Sequence, residues 1–189
     1  MNQDYNDIND FLAGSMSAFH KIYCRYERQL FFYIYSMIRH KENAEDIFQE
    51  VWKTIIDKLP SFSFKGSFKN WLYTIAHHKV IDFTRKTSGK ISLSLNEKIS
   101  GDDETTYLDM LADPAPDIIE QISTKELIEK VANVADKLPP KQKEVFLLRC
   151  DAGLKFKEIA EMTGESLNTI LGRMHYAIKK IRKELQNEL

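Results

Sequence analysis

The 189-residue chain is predicted to be all-α: two small helical domains joined by a flexible acidic linker, the C-terminal one a helix-turn-helix. Three observations lead there. Bulky apolar side chains recur three or four positions apart over long stretches, the period of an amphipathic helix. Several of the 7 Gly and 5 Pro fall between those stretches rather than inside them. Charge is unevenly divided: residues 1–86 carry 12 Lys+Arg against 10 Asp+Glu, residues 87–121 carry 2 against 8, and residues 122–189 carry 13 against 10. The formal net charge of −1 therefore conceals two mildly basic blocks around an acidic strip.

The first helix is expected over 16–39, where Phe19, Ile22, Tyr23, Tyr26, Leu30, Ile34 and Met37 form an apolar stripe. A second is expected over 42–59, through Ala44, Ile47, Phe48, Val51, Trp52, Ile55, Ile56 and Leu59, with Pro60 stopping it. The third runs from Ser67 to about Lys86 and buries Phe68, Trp71, Leu72, Ile75 and Ala76. Ser67 is placed to cap it, its hydroxyl taking a free N–H of the first turn. "TSGKISLSLNEKISGDDETTYLDMLADPAPD" has no sustained helical period and reads as linker; "ISLSL" alone has no strand to pair with.

Helices resume at 118–136, and "LPP" then turns the chain into "KQKEVFLLRC", with Pro140 in a first turn that needs no N–H. "KFKEIAEMTG" is a short helix ending at Gly164. Ser166 caps a long final one, with Leu167, Ile170, Leu171, Met174, Ala177, Ile178, Ile181 and Leu185 on one face. These boundaries divide the chain into domains at 1–86 and 122–189, with 87–121 as linker.

Composition excludes several function classes. Hydrophobic content of 43% and charged content of 29% are ordinary for a globular protein. No apolar run approaches the roughly 18 residues of a membrane span, so no membrane insertion is expected. "MNQDYNDIND" lacks the basic start and apolar middle of a signal peptide. Two distant cysteines, Cys24 and Cys150, suit a reducing cytoplasm. His20 and Cys24 share a helix face as half a metal site. No second pair at ligand spacing follows, and neighbouring His77 and His78 point about 100° apart on a helix. With no nucleophile–base motif and no phosphate-cradling glycine loop, no enzyme and no cofactor are expected.

The final two helices have helix-turn-helix spacing. Ala160 is small where the helices approach, Gly164 can take the left-handed turn, and Ile170 anchors the second helix on the first. Ser166, Asn168, Thr169, Gly172, Arg173 and Tyr176 are then expected at the DNA side, with Arg173 the best candidate for a guanine or phosphate contact. Lys179, Lys180, Arg182 and Lys183 follow and suit phosphates, which supply affinity rather than sequence choice. In the first block, "PSFSFKGSFKN" interleaves Phe62 and Phe64 with Lys65 and Lys69. These rings either stack on unpaired bases or pack beneath the loop.

Three segments together resemble bacterial sigma factors of the extracytoplasmic-function (ECF) group, in that family's order. "NAEDIFQEVWKTI" is similar to its segment binding core RNA polymerase, "FKGSFKNWLYTIAHHKVIDFTRK" to its −10 element reader, and "LPPKQKEVFLLRCDAGLKFKEIAEMTGESLNTI" to its −35-reading domain. The resemblance implies a cytoplasmic, bacterial, non-catalytic sigma subunit whose partners are core polymerase, double-stranded promoter DNA and the melted non-template strand. Asp46, Gln49, Glu50 and Lys53 would dock on the polymerase, at the β′ clamp helices, with the β subunit also a partner. Phe64, Lys65, Gly66, Ser67, Lys69 and Asn70 would form the pocket for a flipped −10 base and its rim. Tyr73, Thr74, His77, Arg85 and Lys86 would face the adjacent DNA. The acidic linker would run through the polymerase cleft, or serve only as a tether. Control by an anti-sigma factor or another targeting protein stays open.

Two departures bear on specificity. His77-His78 stands where the family has a basic residue and an asparagine, and Ile170-Leu171-Gly172-Arg173 stands where Val-Lys-Ser-Arg is common. Loss of two polar side chains from the recognition helix predicts weak −35 readout. Gly172 could alternatively allow close backbone approach to DNA. The rival reading is a stand-alone helix-turn-helix regulator, which leaves the polymerase-docking segment unexplained.

Overall fold

A computed structural model describes residues 3–62, 66–87, 131 and 133–187. The linker expectation for 87–121, the "ISLSL" segment and most of the helix expected at 118–136 lie outside the described residues apart from Thr87. The chain divides into two compact units, Met1–Lys86 and Thr87–Leu189. Among the described residues there are helices, one 3-10 turn and no strand.

The first unit contains α1 (Gln3–Leu12), α2 (Met16–Ile38), α3 (Lys41–Lys58) and α4 (Phe68–Thr87), with the 3-10 turn Leu59–Ser61 after α3. α2 and α3 are the two helices the periodicity predicted, and they pack against each other. Arg39, in the left-handed conformation, closes α2 by donating its N–H to the Tyr35 carbonyl. Pro60 sits in the 3-10 turn, where its missing N–H breaks the helical ladder. Ile22, Leu30, Ile34, Val51, Ile55, Leu72, Ala76 and Val80 are buried between the helices. Each large one contributes about 1.5–3 kcal/mol by leaving water. Ile56, expected in the core stripe, is instead 42% exposed. Its position, one residue past Ile55, carries it off the seam with α2.

α1 was not expected from the polar, acidic start of the chain. Its Ile8 is fully buried, and two of its acids are buried with it: Asp4 and Asp7 are 6% and 7% exposed. Both carboxylates accept from Arg25 of α2, Asp7 at 2.6 Å. Asp4 also accepts from the Tyr26 hydroxyl at 2.7 Å. Burial, then the hydrogen bond to Asp4, raise the Tyr26 pKa. The charges are tolerated inside because cation and hydroxyl satisfy them.

The second unit contains α5 (Pro140–Cys150), α6 (Phe156–Thr163) and α7 (Leu167–Asn187). Pro140 occupies the first turn of α5, as expected. Arg149 ties the α5–α6 loop down by donating to the Leu154 carbonyl at 3.1 Å and lying 5.0 Å from the Phe156 ring centre. Val134, Ala135 and Leu138, just before α5, pack with Ala177 and Ile181 of α7.

Candidate nucleic-acid interface

The turn between α6 and α7 has the geometry that the small–glycine–aliphatic spacing predicts. Gly164 has φ of +69° and donates its N–H to the Ala160 carbonyl. Ala160 and Ile170 are 7% and 0% exposed, packing where the two helices meet. The Ser166 hydroxyl accepts the Thr169 N–H at 3.1 Å, capping α7. Ser166, Leu167 and Asn168 are exposed at the front of α7 and Thr169 is half-buried. Farther along, His175, Lys179, Lys180, Arg182 and Lys183 are exposed. Lys180 also donates to the Lys137 carbonyl at 3.1 Å. Arg173 is not free: it ion-pairs with Glu165 in the turn, and Lys141 of α5 reaches the same carboxylate at 3.3 Å.

In the first unit, α4 begins beside a loop pinned at both ends. On the near side, the Phe62 ring lies 4.7 Å from Trp71 and 6.0 Å from Phe68. Phe62 therefore packs inward against the start of α4. On the far side, Gly66 accepts a hydrogen bond from Tyr5 of α1. Ser67 precedes the helix, and its carbonyl accepts the Trp71 N–H at 3.1 Å. Phe64 and Lys65 lie outside the described residues. Lys69, Asn70 and Thr74 are half-buried along α4, while Arg85 and Lys86 are exposed in its last turn. Asn70 Oδ1 is buried with no hydrogen-bond partner among the described residues. Thr74 spends its hydroxyl on the Asn70 carbonyl at 2.8 Å.

α3 exposes Asp46, Gln49, Glu50 and Lys53 on one arc, opposite its apolar stripe. The arc has two edges. Toward α4, Glu50 pairs with Lys79 at 3.0 Å. Toward α2, Gln49 and Lys53 line a cavity of about 340 Å³ with Tyr23, Phe48, Trp52, Ile56 and Asp57. A chain of rings passes this cavity: Phe19 to Trp52 at 5.7 Å, Trp52 to Tyr23 at 5.0 Å, Tyr23 to Phe48 at 6.1 Å, and Phe48 to Phe31 at 5.6 Å. Trp52 is 5% exposed, and its indole N–H has no partner among the described residues.

The two units match different parts of one family. The Sigma-70 region 2 model matches residues 22–89, and the Sigma-70 region 4 model matches residues 128–181. RNA polymerase sigma factor SigV of Bacillus subtilis is 31% identical over 154 residues, 82% of each chain. ECF sigma factor SigW of the same organism is 29% identical over 182 residues, 95% of each chain. The chain belongs to the ECF sigma factor family. As a sigma factor it directs promoter recognition by core RNA polymerase. Solved structures share its fold: CnrH in complex with the cytosolic domain of CnrY superposes with TM-score 0.64 at 19% identity, covering all of both chains. Sigma factor RpoE of Bartonella quintana, in complex with NepR, gives 0.62 at 18% identity, over 89% and 96% of the two chains.

Three residues expected to face DNA in this sigma factor do not. Tyr73 is fully buried, its ring 5.6 Å from that of Tyr33. His77 is 7% exposed, one turn further along the same inner face. The stripe of Phe68, Leu72, Ala76 and Val80 is wide enough to take both inward with it. Gly172 is also buried. A glycine offers only backbone, which lies beneath the layer of neighbouring side chains, so it supplies no close approach for DNA. Residues that periodicity did not single out as functional are Tyr5, Glu165 and the cavity-lining aromatics. For Tyr5 the available signal was Tyr5–Ile8–Leu12, an apolar spacing of three and four. Glu165 had none, because its partners are 24 and 8 residues away. Among the described residues, His20 and Cys24 approach to 3.5 Å, and no three His, Cys, Asp or Glu side chains are grouped to hold an ion. No described helix is long and apolar enough to cross a membrane.

Proposed function

We propose that residues 1–86 of this sigma factor bind core polymerase and open the −10 element, and that residues 122–189 contact the −35 element. Residues 87–121 join them as an acidic linker. On α3, Asp46, Gln49, Glu50 and Lys53 dock on the β′ clamp helices, with the neighbouring aromatic cavity taking an apolar side chain of the polymerase. At the −10 element, the loop through Gly66 and Ser67 and the start of α4 at Lys69 and Asn70 receive an unpaired base. Arg85 and Lys86 hold the adjacent phosphates. The unsatisfied Asn70 Oδ1 supports this reading, because a base edge offers the donor it lacks.

At the −35 element, α7 enters the major groove with Ser166, Asn168, Thr169, Arg173 and Tyr176 in front and Lys179 and Lys180 beside the backbone. The readout there is weak. Leu171 and Gly172 are buried, and Arg173 is shared with Glu165, which leaves short neutral side chains as the main base-facing groups. Promoter choice then rests on the −10 element or on a targeting partner. The sigma factor works in the cytoplasm, where an anti-sigma protein restrains it. The fold-related RpoE, solved with the anti-sigma factor NepR, supports that reading.

The observation that carries the assignment is the capped helix-turn-helix whose second helix bears a run of cations, in a chain that also has the α3 docking arc. A stand-alone regulator needs only the former. The test is reconstitution of core polymerase with and without this chain on a genomic library, reading start sites. New start sites that depend on the chain support the assignment. Failure of the chain to bind core polymerase in a pull-down refutes it.

A further inference from the structure

We infer that Glu165 sets how strongly the recognition helix reads the −35 element, by holding Arg173 away from DNA. This rests on the reading that α7 enters the −35 major groove. The carboxylate sits directly after Gly164, so the left-handed turn fixes its place, and its own N–H donates to the Ala160 carbonyl at 3.1 Å. From there it takes Arg173 of α7 and Lys141 of α5, the latter at 3.3 Å. Glu165 and Arg173 side chains are each only 18% exposed. A pair sunk that far is screened much less by salt than one standing in solvent.

Three consequences follow from charge and geometry. Arg173 is the one guanidinium on α7 near its front, so it is the side chain able to grip guanine O6 and N7 with two hydrogen bonds. With one nitrogen committed to Glu165, that fork is not open to a base edge. The carboxylate also lies at the N-terminal end of α7, where the helix dipole favours it. There it repels the phosphates that flank a major groove. Glu165 therefore neutralises the front of the helix while the exposed Lys179, Arg182 and Lys183 stay free for the backbone. The result is a helix that holds DNA with little regard to sequence, and a sigma factor whose choice falls on the −10 element.

The experiment uses full-length holoenzyme on a promoter fragment recovered from the genomic start-site library, compared with the same fragment carrying a scrambled −35 element. For the unaltered protein, scrambling is expected to change open-complex formation by less than about twofold. For Glu165→Gln the difference grows to about fivefold or more, the lower end of what a bidentate arginine–guanine contact discriminates. The magnitude of the salt slope also rises by roughly one as a freed cation meets DNA. In Glu165→Gln/Arg173→Gln the gained −35 dependence disappears, which a merely structural role for Glu165 would not produce. Glu165→Asp, with the charge retained but withdrawn by one methylene, is expected to show a smaller effect of the same sign and guards against a fold defect in the first variant. If the unaltered holoenzyme already depends strongly on the −35 sequence, the weak-readout reading fails. If it does not, and folded Glu165→Gln or Glu165→Asp is equally indifferent, the role of Glu165 is overturned while that reading stands.

Discussion

Asp4→Ala should unfold the N-terminal unit far more readily than its place near the chain terminus suggests. Asp4 is 6% exposed, and it accepts from the hydroxyl of Tyr26, itself 4% exposed, at 2.7 Å. Removing the carboxylate leaves that hydroxyl buried without its acceptor, at about 1–3 kcal/mol. Arg25 loses one of its two carboxylates but keeps Asp7 at 2.6 Å, and its side chain is 27% exposed, so this adds only about 0.5–1 kcal/mol. The expected total is about 1.5–4 kcal/mol. Urea denaturation followed by tryptophan fluorescence isolates the effect, because both tryptophans, Trp52 and Trp71, belong to the first unit. With a slope of about 2 kcal/mol per molar urea, the midpoint should fall by roughly 1–2 M. Asp10→Ala, an exposed position on the same helix, controls for the gain in helix propensity and should stay within about 0.5 kcal/mol of the unaltered protein. An Asp4→Ala midpoint indistinguishable from that of Asp10→Ala would refute the claim that the buried ion cluster anchors α1.

Three further outcomes are expected. Ser166→Ala should lower the stability of the second unit by about 1 kcal/mol, seen by circular dichroism, because the Thr169 N–H loses its cap. Lys179→Gln with Lys183→Gln should reduce the salt slope of holoenzyme binding by up to roughly 2 while leaving preference among promoters unchanged. Lys53→Glu, at the exposed edge of the aromatic cavity, should weaken binding to core polymerase at least several-fold in a pull-down titration without moving the urea midpoint by more than about 0.5 kcal/mol.

Local chemistry made much of this legible in advance. Three-to-four spacing located α2, α3 and α4, since a helix buries whichever stripe of its own sequence is apolar. Pro140, Gly164 and Ser166 marked helix ends because each acts through backbone geometry or hydrogen bonds only a few residues away. α1 was missed because its two inward acids look like solvent-facing residues until Arg25 and Tyr26, about twenty positions on, are placed beside them. Tyr73 and His77 were misplaced for a related reason. Their polar atoms suggested an outward face, but the width of a helix's buried stripe depends on how many neighbours pack against it.

The amino-acid order alone thus decided the helical class, the turn at Gly164 and the family, through periods and motifs that act within a few residues. Only folding decided which charges remain available. Glu50 meets Lys79 across two helices, and Glu165 draws Lys141 and Arg173 to one carboxylate. A charge count treats those cations as free for a polyanion. Coulomb attraction depends on distance in space, and the distances between these partners came into being only when the helices packed.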